Sequence, residues 1–353
     1  MKQRSFGCTG AQLPEFCLGT MNFGWRIGES TSLAVLDAYH AAGGNFIQAL
    51  APNPGVDDGP ASVAASEAVV GRWWRARGHA RSALVLATRI SLREARDLTE
   101  EDLAKQLQRS IDDSLARFQT DYLDLLVCEW AGPQRIAPAI RAVLDQSVRT
   151  GRLRYLAFAE LPAWRLVNEI HAGYRANHCR IDALQADYSL LARARVETEL
   201  GGACETYRLG LIARSPLAGG LLAKREGSSL ALGTSRLRWL VERYGFDCGA
   251  KVVRTVNQLA HEHDRTPAQI ALAWVLHHPH VTSALIGANS VALLREIVAA
   301  GELSLSASDL ERLDRASTVQ RTHLPLRDAT VDPSSTSPTA TTEVARENEL
   351  LTV

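Results

Sequence analysis

Polar and charged side chains stand just after several apolar runs, where a buried strand would give way to a loop. Glu129 follows the run that ends at Val127, and Arg89 follows the run that ends at Thr88. A carboxyl group can give or take a proton, whereas a guanidinium stays protonated and can hold an oxyanion or a carboxylate. These residues predict acid–base chemistry, with Glu129 as the proton-transfer residue and Arg89 as the anion holder.

Other polar residues occupy comparable places along the chain. We predict that Gln48 and Tyr188 orient the reacting groups. The predicted substrate contacts are Asn53, Trp130, Glu160, Gln185 and Arg214. Charges gathered in one cleft are unfavourable unless they pair or serve a ligand, so their number favours a working site over a decayed one.

An alternation of apolar strands and amphipathic helices must position these side chains. The predicted strands cover residues 15–18, 45–50, 84–88, 122–127, 155–159, 183–186, 210–213 and 282–286. The predicted helices cover residues 31–42, 62–77, 100–119, 136–150, 163–176, 193–200, 251–263, 267–278 and 291–300. This order fits a (β/α)₈ TIM barrel, whose active site lies at the C-terminal ends of the strands. A doubly wound sheet is less favoured because no G-x-G-x-x-G follows a strand.

Composition restricts the range of functions. The 353 residues are 46% hydrophobic and 22% charged, as in ordinary globular proteins. A formal net charge of +0 gives no general attraction to nucleic acid or to an anionic membrane. The first residues lack an apolar leader, and no apolar run approaches ~18 residues. We therefore expect a cytoplasmic protein that acts on a small molecule.

The chain is predicted to form one domain over residues 1–317, which starts with a hairpin over residues 1–14. Residues 318–353 are rich in Ser, Thr and Pro, which predicts a partly disordered C-terminal extension. The histidines at 277, 278 and 280 lie at the predicted barrel bottom, so no metal site is expected there. The sequence leaves the oligomeric state open.

Several motifs, in this order, resemble the aldo-keto reductase family across roughly residues 4–317. They are L-G-T-M-N-F-G at 18–24, S-E-x-x-x-G at 66–71, S-I-x-x-S-L-x-R-x-x-T-D-Y-L-D-L at 110–125, L-Q-A-D-Y-S-L-L at 184–191 and S-P-L-A-G-G-L-L at 215–222. The resemblance implies a TIM barrel that transfers hydride from NADPH to a carbonyl group. It also implies four catalytic residues: an Asp, a Tyr, a Lys and a His.

The chain departs from the family at each of these catalytic positions. Gln48, Arg89 and Glu129 stand where the family has Asp, Lys and His, and the Tyr position falls on Asn53 or Pro54. Gln48 and Arg89 can form at most a hydrogen bond between an amide and a guanidinium. The exchanges predict a protein that has abandoned hydride transfer.

The positions that hold the cofactor in the family differ as well. The nicotinamide contacts fall on Ala159, Glu160 and Arg214, and the adenosine contacts fall on Asn289, Leu293 and Ile297. Gln185 and a residual loop with Ser215, Leu217 and Gly219 keep the family's residues. Losing several contacts, each of ~1 kcal/mol, lowers affinity by orders of magnitude. We therefore predict no cofactor, with NADPH as the alternative.

The leading prediction is a cofactor-independent cyclase, isomerase or lyase that acts on a small specialised metabolite. One alternative is an NADPH-dependent carbonyl reductase with an unusual proton donor. Another is a non-catalytic partner or sensor protein. A deep polar barrel mouth without nucleotide would favour the cofactor-independent enzyme, and bound nucleotide would favour the reductase. A large apolar surface patch would favour the non-catalytic protein.

Overall fold

Eight parallel strands close into a barrel surrounded by helices in a computed structural model of the chain. The structure describes residues 1–51, 60–92, 99–129, 136–225 and 246–318. The predicted (β/α)₈ barrel is confirmed. Of the predicted C-terminal extension, residues 319–353 lie outside the described residues.

The strands follow one another around the barrel in chain order, and the last pairs with the first. They are β3 (Phe16–Gly19), β4 (Phe46–Leu50), β5 (Val85–Ser91), β6 (Leu123–Glu129), β7 (Leu153–Ala159), β8 (Ala183–Asp187), β9 (Gly210–Arg214) and β10 (Val281–Ile286). Two further strands, β1 (Gln3–Ser5) and β2 (Gln12–Pro14), form an antiparallel hairpin.

Helices alternate with the barrel strands as the sequence predicts. They are α1 (Glu29–Ala41), α2 (Pro60–Ala76), α3 (Glu100–Phe118), α4 (Pro138–Arg149), α5 (Ala163–Ala176), α6 (Gly201–Tyr207), α7 (Phe246–Glu262), α8 (Pro267–His277), α9 (Val291–Val298) and α10 (Ala307–Ala316). A π-helical turn (Val196–Leu200) precedes α6, and a 3₁₀ turn (Ala218–Ala223) follows β9. No helix in the described part of the chain is long and apolar enough to cross a membrane.

The hairpin covers the N-terminal end of the barrel. The ring of Phe6 meets the ring of Tyr155, near the start of β7, with 5.5 Å between their centroids. Arg4 donates a hydrogen bond of 2.9 Å to the carbonyl oxygen of Val281, the first residue of β10. With this end covered, the opposite end is where a ligand can reach the strand termini.

Period-two alternation along the strands decides which side chains enter the barrel. A separate apolar cluster fills the lumen, and it includes Phe46, Ala87, Val127, Ala183 and Ile212. The residue two positions later on each strand has its side chain on the same side. Those residues, near the C-terminal ends of the strands, are Gln48, Arg89, Glu129, Gln185 and Arg214.

Candidate active site

Arg89 and Glu129 form an ion pair near the C-terminal ends of β5 and β6. The guanidinium Nη2 of Arg89 donates to Oε2 of Glu129, and the two side chains are 15% and 5% exposed. Burial lowers the pKa of Arg89, and the charge of Glu129 partly opposes that shift. Because an arginine pKa starts above 12, the guanidinium still carries its charge at neutral pH.

A second N–H group of Arg89 lacks a hydrogen-bond partner in the described part of the chain. Its Nε is buried and has no hydrogen-bond partner among the described residues. A buried donor left unpaired costs about 1–3 kcal/mol, and more for a charged group. An acceptor oxygen placed against Nε would remove that cost, beside the carboxyl group of Glu129.

A second ionic cluster lies beside this pair. Arg214 forms ion pairs with Glu160 and with Asp187, whose Oδ1 is 2.6 Å from the arginine Nε. Arg195 Nη1 lies 3.3 Å from the carboxylate of Glu160, and Nη2 donates to its backbone carbonyl. Burial alone would lower the pKa of Arg214, but the hydrogen bond to Asp187 and the nearby carboxylates raise it overall. Arg214 is therefore held as a fixed cation.

Gln48 and Gln185 join opposite sides of the barrel. Nε2 of Gln185 donates a hydrogen bond of 2.8 Å to Oε1 of Gln48. The expected contact between Gln48 and Arg89 is therefore replaced: Gln48 bonds to Gln185, while Arg89 pairs with Glu129. The other polar atom of the Gln185 amide, the oxygen Oε1, is buried without a partner among the described residues.

Tyr188 lies apart from the other predicted site residues. Its hydroxyl donates a hydrogen bond of 2.9 Å to Glu197, and its ring stacks on Trp274 of α8. Burial and then the charge of Glu197 raise the pKa of the Tyr188 phenol far above its ordinary value. Alternation turns Asp187 inward and Tyr188 outward, into the layer of helices, which is why Tyr188 does not join the cluster.

The turn after β9 has an unusual backbone. Ser215, Ala218, Gly219 and Gly220 all have positive φ, between 48° and 94°. The N–H groups of Ala218 and Gly220 donate within the turn, to the carbonyl oxygens of Ser215 and Leu217. A Cβ added to Gly220 would meet no heavy atom within 4 Å, so the turn is open on that side. Left-handed backbone at Ser215 and Ala218 is unfavourable, and such strain is concentrated at functional sites.

The predicted adenosine positions lack charge. Asn289 is exposed and Leu293 is half-buried, while Ile297 is buried in the core. None of the three can supply a cation to a phosphate.

Two residues of the ionic cluster around Arg214 are not among the predicted site residues. Asp187 could have been predicted from the sequence, because Asp187 follows the inward-facing Gln185 by two positions on β8. Arg195 could not have been predicted, because its partner Glu160 has a left-handed backbone, with φ of 62°, that the sequence does not reveal. Of the predicted contacts, Asn53 and Trp130 lie outside the described residues. Across the described ranges, no group of three His, Cys, Asp or Glu side chains is arranged to hold a metal.

Comparison with known proteins places the chain among reductases. Residues 15–318 match the profile of the Aldo/keto reductase family. An "uncharacterized oxidoreductase YrpG" from Bacillus subtilis is 28% identical over 89% of this chain and 95% of its own length. "Protein tas" from Escherichia coli is 30% identical over 84% of this chain and 92% of its own length. A "norsolorinic acid reductase" from Aspergillus flavus is 28% identical over 87% of this chain and 78% of its own length.

These similarities overturn two predictions. The predicted non-redox cyclase, isomerase or lyase is wrong, because the family is one of reductases and two of these relatives are named as an oxidoreductase and a reductase. The prediction of no cofactor is wrong as well, since the family's hydride comes from NADP(H). The exchanged contacts are a poor guide to cofactor use because the chain keeps the Gln185 side chain and the turn after β9.

Proposed function

Because the chain belongs to the aldo/keto reductase family, we propose that it is an NADPH-dependent carbonyl reductase in which Glu129 supplies the proton. The observation that carries this proposal is the buried pair of Arg89 and Glu129. One N–H of Arg89 points to no partner in the described structure, and Glu129 lies beside it. A substrate carbonyl oxygen would supply the missing acceptor.

Glu129 is the group best suited to move the proton. Arg89 and Arg214 remain protonated at neutral pH, and the amides of Gln48 and Gln185 do not titrate. Glu160 and Asp187 are carboxylates as well, but both hold Arg214, and their side chains are 20% and 14% exposed. Glu129 is 5% exposed, so a substrate oxygen next to it competes with little water.

The proton and charge balance is simple. Glu129 is an ion-paired carboxylate in this structure, so it must first take a proton from solvent. It can then donate that proton to the carbonyl oxygen while its other oxygen accepts from Arg89. Hydride addition at the carbonyl carbon and proton transfer to oxygen together give an alcohol. The carboxylate that remains is stabilised by the Arg89 cation, which favours the transfer. Solvent returns the proton before the next turnover.

Among the described residues, Gln185 fits the cofactor, because its unpartnered Oε1 can accept from the carboxamide N–H₂ of a nicotinamide. The turn from Ser215 to Gly220 is the loop that the family resemblance assigns to the cofactor. Bound NADPH would supply the hydride for the carbonyl carbon. Arg214 lies beside the same strand ends, where Glu160 and Asp187 fix its orientation.

Two experiments test the proposal. Fluorescence titration should give a saturable complex with NADPH, and absorbance should follow NADPH oxidation with a panel of ketones and aldehydes. Norsolorinic acid belongs in the panel because one relative carries its name. Glu129→Gln should still bind NADPH but lose ~10²–10⁴ in rate, whereas Glu129→Asp keeps the acid and should lose less. Absence of NADPH binding, or full turnover by Glu129→Gln, contradicts the proposal.

A further inference from the structure

The orientation of the Gln185 amide depends on a residue across the barrel. Gln185 is 0% exposed, and its N–H₂ end is engaged by Oε1 of Gln48 at 2.8 Å. Gln48 lies on β4 and Gln185 on β8, with three strands between them on either side of the barrel. The two amides thus meet across the lumen rather than along neighbouring strands.

This contact decides what Gln185 can offer a ligand. An amide has a donor end and an acceptor end. Because the donor end is held by Gln48, the acceptor Oε1 is the end left to a ligand, and it is buried without a partner among the described residues. The group that completes it must carry an N–H or O–H donor, since a second acceptor would leave both atoms unpaired.

We infer that Gln48 is a positioning residue that fixes the acceptor end of Gln185 toward the cofactor, so that the site selects a nicotinamide ring bearing a hydrogen-bond-donating carboxamide. The inference rests on the proposed function, because it takes a reduced nicotinamide nucleotide as the occupant. Without Gln48, rotation about the last side-chain bond would let Gln185 present either end. The site would then accept a ring substituent with donors or one without them.

Binding measurements on two dinucleotides test this role without any turnover. The first is NADPH, and the second is its reduced acetylpyridine analogue, in which an acetyl group without N–H replaces the carboxamide. Wild-type protein should bind NADPH about 10- to 100-fold more tightly than the analogue, as expected for one unpaired buried acceptor. Gln48→Met, which fills similar volume without an acceptor, should reduce that ratio to within about threefold.

Gln48→Glu is the matched rescue variant. A carboxylate keeps an acceptor for Nε2 of Gln185, so the preference for NADPH should return toward the wild-type ratio. ADP-ribose, which has no nicotinamide, should bind all three proteins equally and report on an intact fold. An unchanged ratio in Gln48→Met overturns the inference while leaving the reductase proposal in place. Failure of wild-type protein to bind either dinucleotide overturns the reductase proposal itself.

Discussion

The carboxylate of Glu67 on α2 accepts a hydrogen bond of 2.5 Å from the hydroxyl of Thr88, the residue that precedes Arg89 on β5. Nε of Arg117 on α3 donates to the other carboxylate oxygen at 2.6 Å. Glu67 is 0% exposed, so this buried charge joins two helices to the strand that carries Arg89. The contact gives a structural reason for the S-E-x-x-x-G motif at 66–71.

Removal of Glu67 should therefore destabilise the barrel. Glu67→Ala leaves Arg117 and Thr88 without their buried partner and should lower the free energy of unfolding by about 3–5 kcal/mol. Ser66→Ala is the matched control, because the Ser66 hydroxyl is buried without a partner in the described structure. Its loss should be neutral or slightly stabilising. Urea denaturation of both variants measures the difference, and equal effects would contradict the role given to Glu67.

The pair of Arg89 and Glu129 should behave differently under single and double replacement. Arg89→Leu leaves Glu129 buried without its cation and should cost about 3–5 kcal/mol of stability. The double variant with Leu at both positions removes both charges and should recover most of that loss. It should nevertheless reduce no carbonyl compound, because both the oxygen donor and the acid are gone. Urea denaturation and NADPH oxidation report the two properties, and a double variant that is no more stable than Arg89→Leu would count against a buried, coupled pair.

Cofactor discrimination is a further test of the site. Asn289, Leu293 and Ile297 offer no cation, so wild-type protein should favour NADPH over NADH by less than ~10-fold, about 1.4 kcal/mol. Asn289 is exposed, and Asn289→Arg would place a guanidinium where it can pair with the 2′-phosphate. That variant should bind NADPH ~10-fold more tightly and NADH unchanged. A strong preference for NADPH in wild-type protein would place the phosphate contact elsewhere.

Tyr188 should matter for stability rather than for catalysis. Tyr188→Phe removes one hydrogen bond to Glu197 and keeps the stack on Trp274, so it should cost about 1 kcal/mol of stability. Because the ring lies in the layer of helices, kcat should stay within about twofold of wild type. A large fall in kcat without a matching loss of stability would return Tyr188 to the reaction site.

The sequence predicts the barrel and most of the inward-facing residues because both follow from periodicity. Gln48, Arg89 and Glu129 lie two positions beyond lumen residues, and alternation alone places them at the mouth. Contacts across the barrel are not local, and the bond between Gln48 and Gln185 therefore depends on packing that the sequence does not show.

Helix boundaries predicted from the sequence are wrong where local residue preferences and tertiary packing disagree. The predicted helix at 193–200 ends just before Gly201 and Gly202, which have low helix propensity, but the structure continues there as α6. The helix α10 is absent from the predicted helices, although its capping box, formed by Ser306 and Asp309, is readable in the sequence. In α6, packing outweighs the intrinsic preference of the two glycines: Gly201 is buried, close to the ring of His280.

Asp182 should make the stability of the barrel depend on pH. Burial raises the pKa of this carboxyl from 3.8 to about 6, although the N–H of Leu156 donates to it at 3.0 Å. A raised pKa means that the folded state binds the proton more tightly than the unfolded state does. The contribution of Asp182 is therefore most favourable below about pH 4 and is lost as pH rises through about 6.

Asp182→Asn keeps an acceptor for Leu156 but cannot ionise, so it should remove this dependence. The higher pKa of Asp182 in the folded chain corresponds to a stability difference on the order of 3 kcal/mol between acid and neutral pH. The stability of Asp182→Asn relative to wild type should therefore increase by up to that amount between about pH 4 and pH 6.5. Urea denaturation of both proteins across this range gives the difference curve, in which other titrating groups cancel. A flat difference curve would show that Asp182 has the same pKa in the folded and unfolded chains.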